Sequence, residues 1–272
     1  MVGVTFKGRL GNQLFQFVFF LYLKSRNKNK LVFIPNPHHA YLTKYFDLGQ
    51  YGWFLGSKIY SVLTRAIPHI LKFKQIYVQN FVAPRHIEAE DGTIINGYFQ
   101  TDWYYRQLSE KPQISLKKQY TDKFDKGFGE IFRNNKTITV HIRRTDYMNY
   151  GKRDISLPME YFKRQLESVK NLSDYTVFFV SDDMQHVRSV FEEKPNYIFS
   201  SNDEITDFQL INNADVAIIS NSSFAWWACY LSQKDQQVLA PKNWMGFTVG
   251  REHPRGVMTD KFEWRDVFPQ TA

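Results

Sequence analysis

Apolar residues come in short dense runs along most of the chain, separated by breaks rich in glycine, proline or charge. Residues 2–7 form the first run, short enough for a buried strand, and the break Gly8-Arg9-Leu10-Gly11-Asn12-Gln13 follows. Residues 13–25 then have the length and composition of a helix that is apolar on most faces. A strand, a glycine turn and a helix open an α/β domain. Glycine is needed in such a turn because the backbone must reverse sharply and approach another group closely. Between residues 35 and 95 the pattern is weaker. Pro35, Pro37 and the pair His38-His39 mark a loop, and residues 54–72 predict a helix. Residues 76–80 and 93–98 alternate as strands do, with Trp103-Tyr104-Tyr105 just beyond.

The second half is more regular. Strands are predicted at 137–142, 175–180, 197–200, 216–219 and 238–240. Helices are predicted between them at 159–169, 184–193, 203–213 and 223–231, the first with Pro158 near its opening turn. Strands alternating with helices of this length predict a parallel, Rossmann-like sheet. On such sheets ligands bind beyond the carboxyl ends of the strands, so candidate chemistry is sought there.

Composition narrows the class. Apolar residues make up 43% of the 272, which suits a globular chain of about two domains. Aromatics reach 17%; most pack the core, and the surplus suits the C–H face of a pyranose. Lys and Arg total 35 against 27 Asp and Glu, so phosphorylated or otherwise anionic partners are favoured. The charges are dispersed and no nucleic-acid-binding motif accompanies them, so nucleic acid is not the expected partner. A single cysteine, Cys229, rules out an internal disulfide and a cysteine-built zinc site. The opening residues lack the pattern of a secretory signal, and the apolar run at 14–23 is about half a bilayer span. The expected location is cytoplasmic, with peripheral contact to a membrane surface through basic residues.

Three clusters at predicted strand ends carry the candidate chemistry. In the Gly8 to Gln13 turn, Asn12 is either a helix cap or part of an anion site at the helix start, with Arg9 adding charge. In His141-Ile142-Arg143-Arg144-Thr145-Asp146-Tyr147, His141 and Arg143 share one face of the strand end and Arg144 points to the other. A guanidinium matches phosphate oxygens and stabilises the charge of a departing diphosphate. The alternative is an Arg144–Asp146 surface ion pair, which would contribute little. In Ser220-Asn221-Ser222-Ser223-Phe224-Ala225-Trp226-Trp227-Ala228, Ser222 or Ser223 caps the next helix, or the same N–H groups hold a phosphate. Asp182 and Asp183 either accept hydrogen bonds from a nucleotide or cap the helix after them.

Together these segments resemble the α-1,2-fucosyltransferase family, within the inverting fucosyltransferases that use GDP-fucose. The Gly8 to Gln13 turn is similar to the family's G-R-x-G-N-Q motif, and His141 to Tyr147 to its H-x-R-R-x-D-Y peptide. Gly97-Tyr98-Phe99-Gln100 resembles its G-Y-F-Q segment, and the Ser220 cluster its S-N-S-S-F-x-W-W-A stretch, with Pro241-Lys242-Asn243-Trp244 following. Two departures stand out. Thr145 replaces a frequent glycine and gives the R-R-T-D form of α-1,6 relatives, and Asp102-Trp103 replaces a more usual Ser-Glu pair.

The resemblance implies an α/β chain of GT-B type: two Rossmann-like domains, at 1–132 and 133–272, with the donor site in the cleft. The last residues would pack back on the first domain. It implies GDP-β-L-fucose as donor and no metal or other cofactor. The acceptor would be a galactose-terminated glycan or a lipid-linked oligosaccharide, joined in an α-1,2 linkage with α-1,6 as the alternative. Arg143, Asn12 and Asp146 would be catalytic, Arg143 on the diphosphate and Asp146 as base or as an orienting group. Arg9, Gly11, His141, Arg144, Asp182, Asp183, Ser222 and Ser223 would bind the donor, and Tyr98, Gln100 and Trp103 the acceptor. A non-catalytic carbohydrate-binding protein would share the aromatics but leaves the paired arginines unexplained. A nicotinamide- or flavin-dependent oxidoreductase would share the sheet, but the spaced glycine fingerprint is absent.

Overall fold

The computed structural model describes residues 1–269 and divides the chain into two compact units. The first comprises residues 1–117 and 253–259, and the second residues 118–252 and 260–272; of these last, residues 270–272 lie outside the described residues. The boundary expected at 132/133 therefore falls earlier, and it is 253–259 that returns to the first unit. The rest of the tail, as far as it is described, belongs to the second unit, and residues 270–272 of the expected pack-back are not described.

The first unit runs β1 (Val2–Val4), α1 (Leu10–Arg26), β2 (Val32–Phe33), α2 (Leu42–Tyr45), β3 (Phe46–Asp47), α3 (Gln50–Gly56), α4 (Lys58–Ile70), β4 (Lys74–Tyr77), β5 (Thr93–Asn96), α5 (Trp103–Arg106) and β6 (Ser115–Leu116). Its main sheet has the order β2-β1-β5-β4, all parallel. The helix expected at 54–72 is two helices, because Ser57 caps α4 by accepting from the Tyr60 N–H at 3.3 Å. Helix α1 is buried on nearly every face, as its composition predicts. Phe19 on α1 stacks on Phe99, ring centroids 3.6 Å apart, and Tyr104 meets Phe19 edge-on at 4.8 Å. The returning segment docks through the Arg255 N–H, which donates to the Asn80 carbonyl at 2.8 Å, and through Thr259, whose hydroxyl donates to buried Asp102 at 2.9 Å.

The second unit runs α6 (Lys118–Asn134), β7 (Lys136–Ile142), α7 (Met159–Glu167), β8 (Tyr175–Ser181), α8 (Met184–Val190), β9 (Tyr197–Phe199), α9 (Glu204–Asn213), β10 (Val216–Ile219), α10 (Ser223–Tyr230), β11 (Gln237–Pro241) and β12 (Glu263–Arg265). The sheet order is β12-β11-β10-β7-β8-β9, and every pairing is parallel. Counted from β7 this is 3-2-1-4-5-6, the Rossmann order. Its five expected strands form within a residue or two of their predicted bounds, and β12 is an addition. Core clusters cover both faces of the sheet, one around Ile138, Val140, Phe179 and Ile218 and one around Phe124, Phe132, Phe178 and Leu210.

Helix α6 is not among the helices that the apolar pattern predicts. Its apolar residues are few, and Gly127 and Gly129 interrupt it, but Phe124, Phe128, Ile131 and Phe132 recur at helical spacing and fall on one face. That face packs on Phe178, whose ring lies 5.2 Å from Phe132 and 6.0 Å from Phe128. This packing draws 118–134 into the second unit. Phe178→Ala is expected to cost about 3–5 kcal/mol in urea unfolding and to speed hydrogen exchange along 118–134 selectively.

Candidate active site

In the first unit, two of the singled-out sequence segments meet at the carboxyl ends of the neighbouring strands β1 and β5. Gly8 turns the chain with φ +74°, and a Cβ there would sit 2.5 Å from the Asn12 amide nitrogen. Glycine is required on both counts. Helix α1 then starts at Leu10 with Arg9 in the capping position, and no side chain caps it. Asn12 is therefore not the cap. Its amide oxygen accepts from the Gln100 side chain at 2.7 Å. Buried Gln16 ties the same two loops together, accepting from the Lys7 N–H at 2.9 Å and donating to the Gly97 carbonyl at 3.0 Å. Gln13 reaches the carbonyls of Gly8 and His39 at 3.2 and 2.7 Å. Gly11 is buried in the first helical turn.

The other expected acceptor residues differ from Gln100. Tyr98 is half-buried at the end of the β5 segment. Trp103 lies in an aromatic group, edge-on to Tyr22 at 5.8 Å, to His86 at 5.0 Å and to Tyr104 at 5.1 Å. Asp102 is occupied by Thr259, with Arg106 3.4 Å away.

In the second unit the strand order reverses between β7 and β10, and on sheets of this order ligands bind in the crevice at that point. Both remaining clusters end there. Register carries Ile219 opposite His141, and the Ser220 N–H donates to the His141 carbonyl at 3.0 Å. The Ser220 hydroxyl and His141 Nδ1 are 2.9 Å apart, so the imidazole is tied into the fold. Burial, with the Arg143 charge beside it, pushes the His141 pKa down to about 3. The ring is neutral at any working pH.

Arg143 follows the strand end and is largely enclosed, with 18% of its side chain exposed. Its Nε and Nη2 both reach Asp146 Oδ1, at 2.8 and 2.7 Å, and Nε lies 3.2 Å from Asp182 Oδ2. Burial works against the guanidinium charge, but the Asp146 hydrogen bond and the Asp182 and Asp146 charges outweigh it, and the net shift is upward. Arg144 pairs with Asp183 at 3.2 Å. The Arg144–Asp146 ion pair weighed from the sequence is thus replaced by two crossed pairs. Asp182 also accepts from the Arg144 N–H at 2.8 Å and from the Thr145 hydroxyl. Asp183 caps α8, accepting from the His186 N–H at 3.3 Å. Both carboxylates are engaged within the protein, the capping alternative holding for Asp183.

Across the crevice, Ser222 stands at the capping position of α10 and Ser223 begins the helix. Ser222 makes no side-chain cap bond, so of the two sequence readings capping by its hydroxyl is not what forms. The first-turn N–H groups of a helix bind anions well. Half-buried Tyr147 donates to the Asn221 carbonyl at 3.2 Å, joining the arginine loop to the serine loop, and desolvation pushes its pKa up.

Two residues were not singled out from the sequence. Asn221 is fully buried, its amide nitrogen donates to the Ile155 carbonyl at 2.8 Å, and its amide oxygen has no partner. Such an orphan acceptor is uncommon in a folded interior. Its signal was present in the serine run, where an amide sits among hydroxyls. Asp207, on α9 beyond the end of β9, accepts from the Ser200 hydroxyl at 2.5 Å, and burial pushes its pKa up to about 6. Nothing in the sequence marks it, because its burial is a tertiary fact. Among the described residues, no three His, Cys, Asp or Glu side chains gather as a metal group.

The chain belongs to glycosyl transferase family 11, whose family model matches residues 1–252. It is 31% identical over 123 residues to the O-antigen biosynthesis glycosyltransferase WbnK of Escherichia coli, covering 42% of this chain and 41% of that protein. It is 29% identical over 162 residues to an α-1,2-colitosyltransferase of Escherichia coli, covering 54% of each. It is 23% identical over 258 residues to the mouse galactoside 2-α-L-fucosyltransferase Sec1, covering 88% of this chain and 67% of that protein. The match thus spans about half or less of the length of the two bacterial relatives. A solved structure of the α-1,6-fucosyltransferase NodZ with GDP aligns at TM-score 0.49 and 13% identity, covering 89% of this chain and 95% of that one.

The Asp207 geometry sets a pH dependence. Its folded pKa lies above that of an unfolded carboxyl, so the native state holds the proton more tightly. Stability contributed by the protonated form is therefore present below about pH 4 and lost as pH rises through about 6. Asp207→Asn is expected to gain on the order of 2 kcal/mol in urea unfolding at pH 7, a gain that vanishes near pH 4.

Proposed function

We propose that this member of glycosyl transferase family 11 transfers L-fucose from GDP-β-L-fucose to a galactoside hydroxyl, with inversion, in an α-1,2 linkage and without a metal ion. The observation that carries the reading is Arg143. A guanidinium held by two carboxylates stands at the reversal point of a Rossmann-ordered sheet, across from the open start of α10. An arginine so placed is oriented before any ligand arrives, and its planar fork matches diphosphate oxygens. The relatives support the sugar and the linkage: one is an α-1,2-colitosyltransferase and one a galactoside 2-α-L-fucosyltransferase.

In the proposed reaction the bond between fucose C1 and the β-phosphate oxygen breaks, and its electron pair leaves with GDP. Arg143 and the first-turn N–H groups of α10, beginning at Ser223, take up the negative charge as it develops, the Ser222 N–H being bonded to the Ser220 carbonyl at 2.8 Å. The acceptor oxygen bonds to C1 from the opposite face, and its proton passes to a base. Asp146 is the carboxylate assigned as base, but its Oδ1 is engaged by Arg143, so positioning the arginine comes first among its roles. Asp182 fixes the same loop through Arg144 and Thr145. His141, neutral and tied to Ser220, presents an uncharged ring to the donor. In the first unit, Arg9, Gly11 and Asn12 are assigned to the donor side and Tyr98, Gln100 and Trp103 to the acceptor, with the Asn12–Gln100 bond fixing two of them together.

A second donor is favoured by one relative's name: colitose in place of fucose. Both donors present the same diphosphate to Arg143, so the test must vary the sugar.

The test is transfer from GDP-fucose and GDP-colitose to galactose-ended acceptors in excess EDTA, with the product linkage read by NMR. Transfer in EDTA with an α-1,2 product is expected; activity seen only after adding a divalent cation would overturn the metal-independent reading. Arg143→Ala is expected to lower turnover by about 10²–10³ with folding intact, and Arg143→Lys to recover little of it, since an ammonium lacks the planar fork. Unchanged turnover in Arg143→Ala would remove the assignment.

A further inference from the structure

Helix α4 is built the wrong way round for a helix of a solvated protein. Its inward face is carried by Tyr60 and Thr64: the Tyr60 hydroxyl accepts from the Ile34 N–H at 3.3 Å, and Thr64 is 3% exposed. Its outward face is apolar. Ile59, Val62, Leu63 and Ile70 are each between 58% and 77% exposed, and at about 100° per residue they fall within an arc of roughly 100°. Ala66 completes the stripe. Trp53 on the preceding α3 is 73% exposed and Phe54 beside it is exposed as well. Scattered exposed apolar residues need no explanation, but a continuous helical stripe flanked by exposed aromatics does.

The charge on the helix beside the stripe is of one sign. Lys58 and Arg65 lie together on the flank of the same helix, within about 40° of each other and of His69. Lys72 follows at its end, and Lys74 beyond it pairs with Glu90 at 3.7 Å. Residues 48–87 contain five Lys and Arg and no Asp or Glu. In a chain with 27 acidic residues among 272, a forty-residue stretch would carry about four at the chain's average. Apolar side chains outward and an uninterrupted basic flank are the makeup of a helix lying in the plane of a membrane interface.

We infer that α3 and α4 form a docking surface for an anionic lipid bilayer. The apolar stripe enters the headgroup boundary, and Lys58, Arg65 and Lys72 meet lipid phosphates. A second copy of the chain fits this face less well, because a twofold contact would set Lys58 and Arg65 against their own copies with no acidic residue in the segment to neutralise them. The surface is separate from every residue assigned to transfer, so the inference stands independently of the donor and linkage. No helix among the described residues is long and apolar enough to cross a membrane.

The test floats the full chain with two vesicle preparations, phosphatidylcholine alone and phosphatidylcholine mixed with phosphatidylglycerol. The mixed vesicles are expected to carry the protein, the neutral ones to leave most of it behind, and high salt to release it. Ile59→Asp with Leu63→Asp changes two exposed positions and is expected to cut the floated fraction by about tenfold, with an unaltered melting curve and unaltered transfer to a soluble acceptor. Lys58→Gln with Arg65→Gln is expected to weaken binding to the mixed vesicles alone. Failure to float with mixed vesicles, or equal flotation of the double aspartate variant, would overturn the inference. So would a solution dimer that the aspartates dissociate, since the face would then belong to a second copy.

Discussion

The pairing of β7 with β10 is the constraint on which the second unit's chemistry depends. The two strands lie side by side with Val216 opposite Ile138 and Ile219 opposite His141, although β8 and β9 intervene in the chain. After β9 the chain must cross back over the sheet to reach β10, and α9 makes that crossing, packed on α6 and α10. Successive strands then extend the sheet in the opposite direction. Loops after β7 and β10 therefore leave on diverging paths and open a crevice, and a one-residue slip in register would turn His141 and Arg143 to opposite faces from those observed. The bond between Ser220 and the His141 carbonyl closes the ladder at the point where the site begins.

Charge at that point is handled by pairing rather than by exposure. Two adjacent arginines at the end of a buried strand would carry a large desolvation cost if unpaired. Here Asp146 and Asp182 hold Arg143, Asp183 holds Arg144, and Asp182 also fixes the backbone of the same loop. The arrangement spends carboxylates on orientation, so the guanidinium keeps a single direction without a ligand present. The opposite choice was made at His141, where burial removes the charge altogether and leaves the ring as a neutral, hydrogen-bonded wall.

In the first unit a single helix has the organising role. Because α1 is apolar almost all round, it can be sunk between the sheet and the loops, and its few polar groups then have no water to bond. Gln13, Gln16 and Asn12 satisfy themselves on loop carbonyls, loop N–H groups and Gln100, and in doing so fix the glycine turn against the segment after β5. Helix α4 shows the contrary case: its polar residues face in, its apolar residues face out, and no other part of the unit covers them.

Much of this was legible in the chain. The alternation of runs in the second half determined a parallel α/β sheet, since each strand and helix is strongly periodic and short connections leave few topologies. The segments at Gly8, Gly97, His141 and Ser220 marked where chemistry would sit, because glycines, arginines and hydroxyls cluster there against an apolar background. Helix α6 escaped because its spaced phenylalanines are diluted by charge and by two glycines, and only the Phe178 surface gives them a reason to share a face. Partner choice was likewise outside the sequence. Spacing alone suited Arg144 to Asp146, but the direction in which β7 ends gave Asp146 to Arg143 and brought Asp183 from another strand to Arg144. Burial of Asp207 had no local signature at all. Local pattern decides which elements form, because periodicity and turn chemistry act within a few residues. Which charges pair and which polar groups lose water is decided only when distant strands meet, because both depend on distances between atoms that the chain order does not fix.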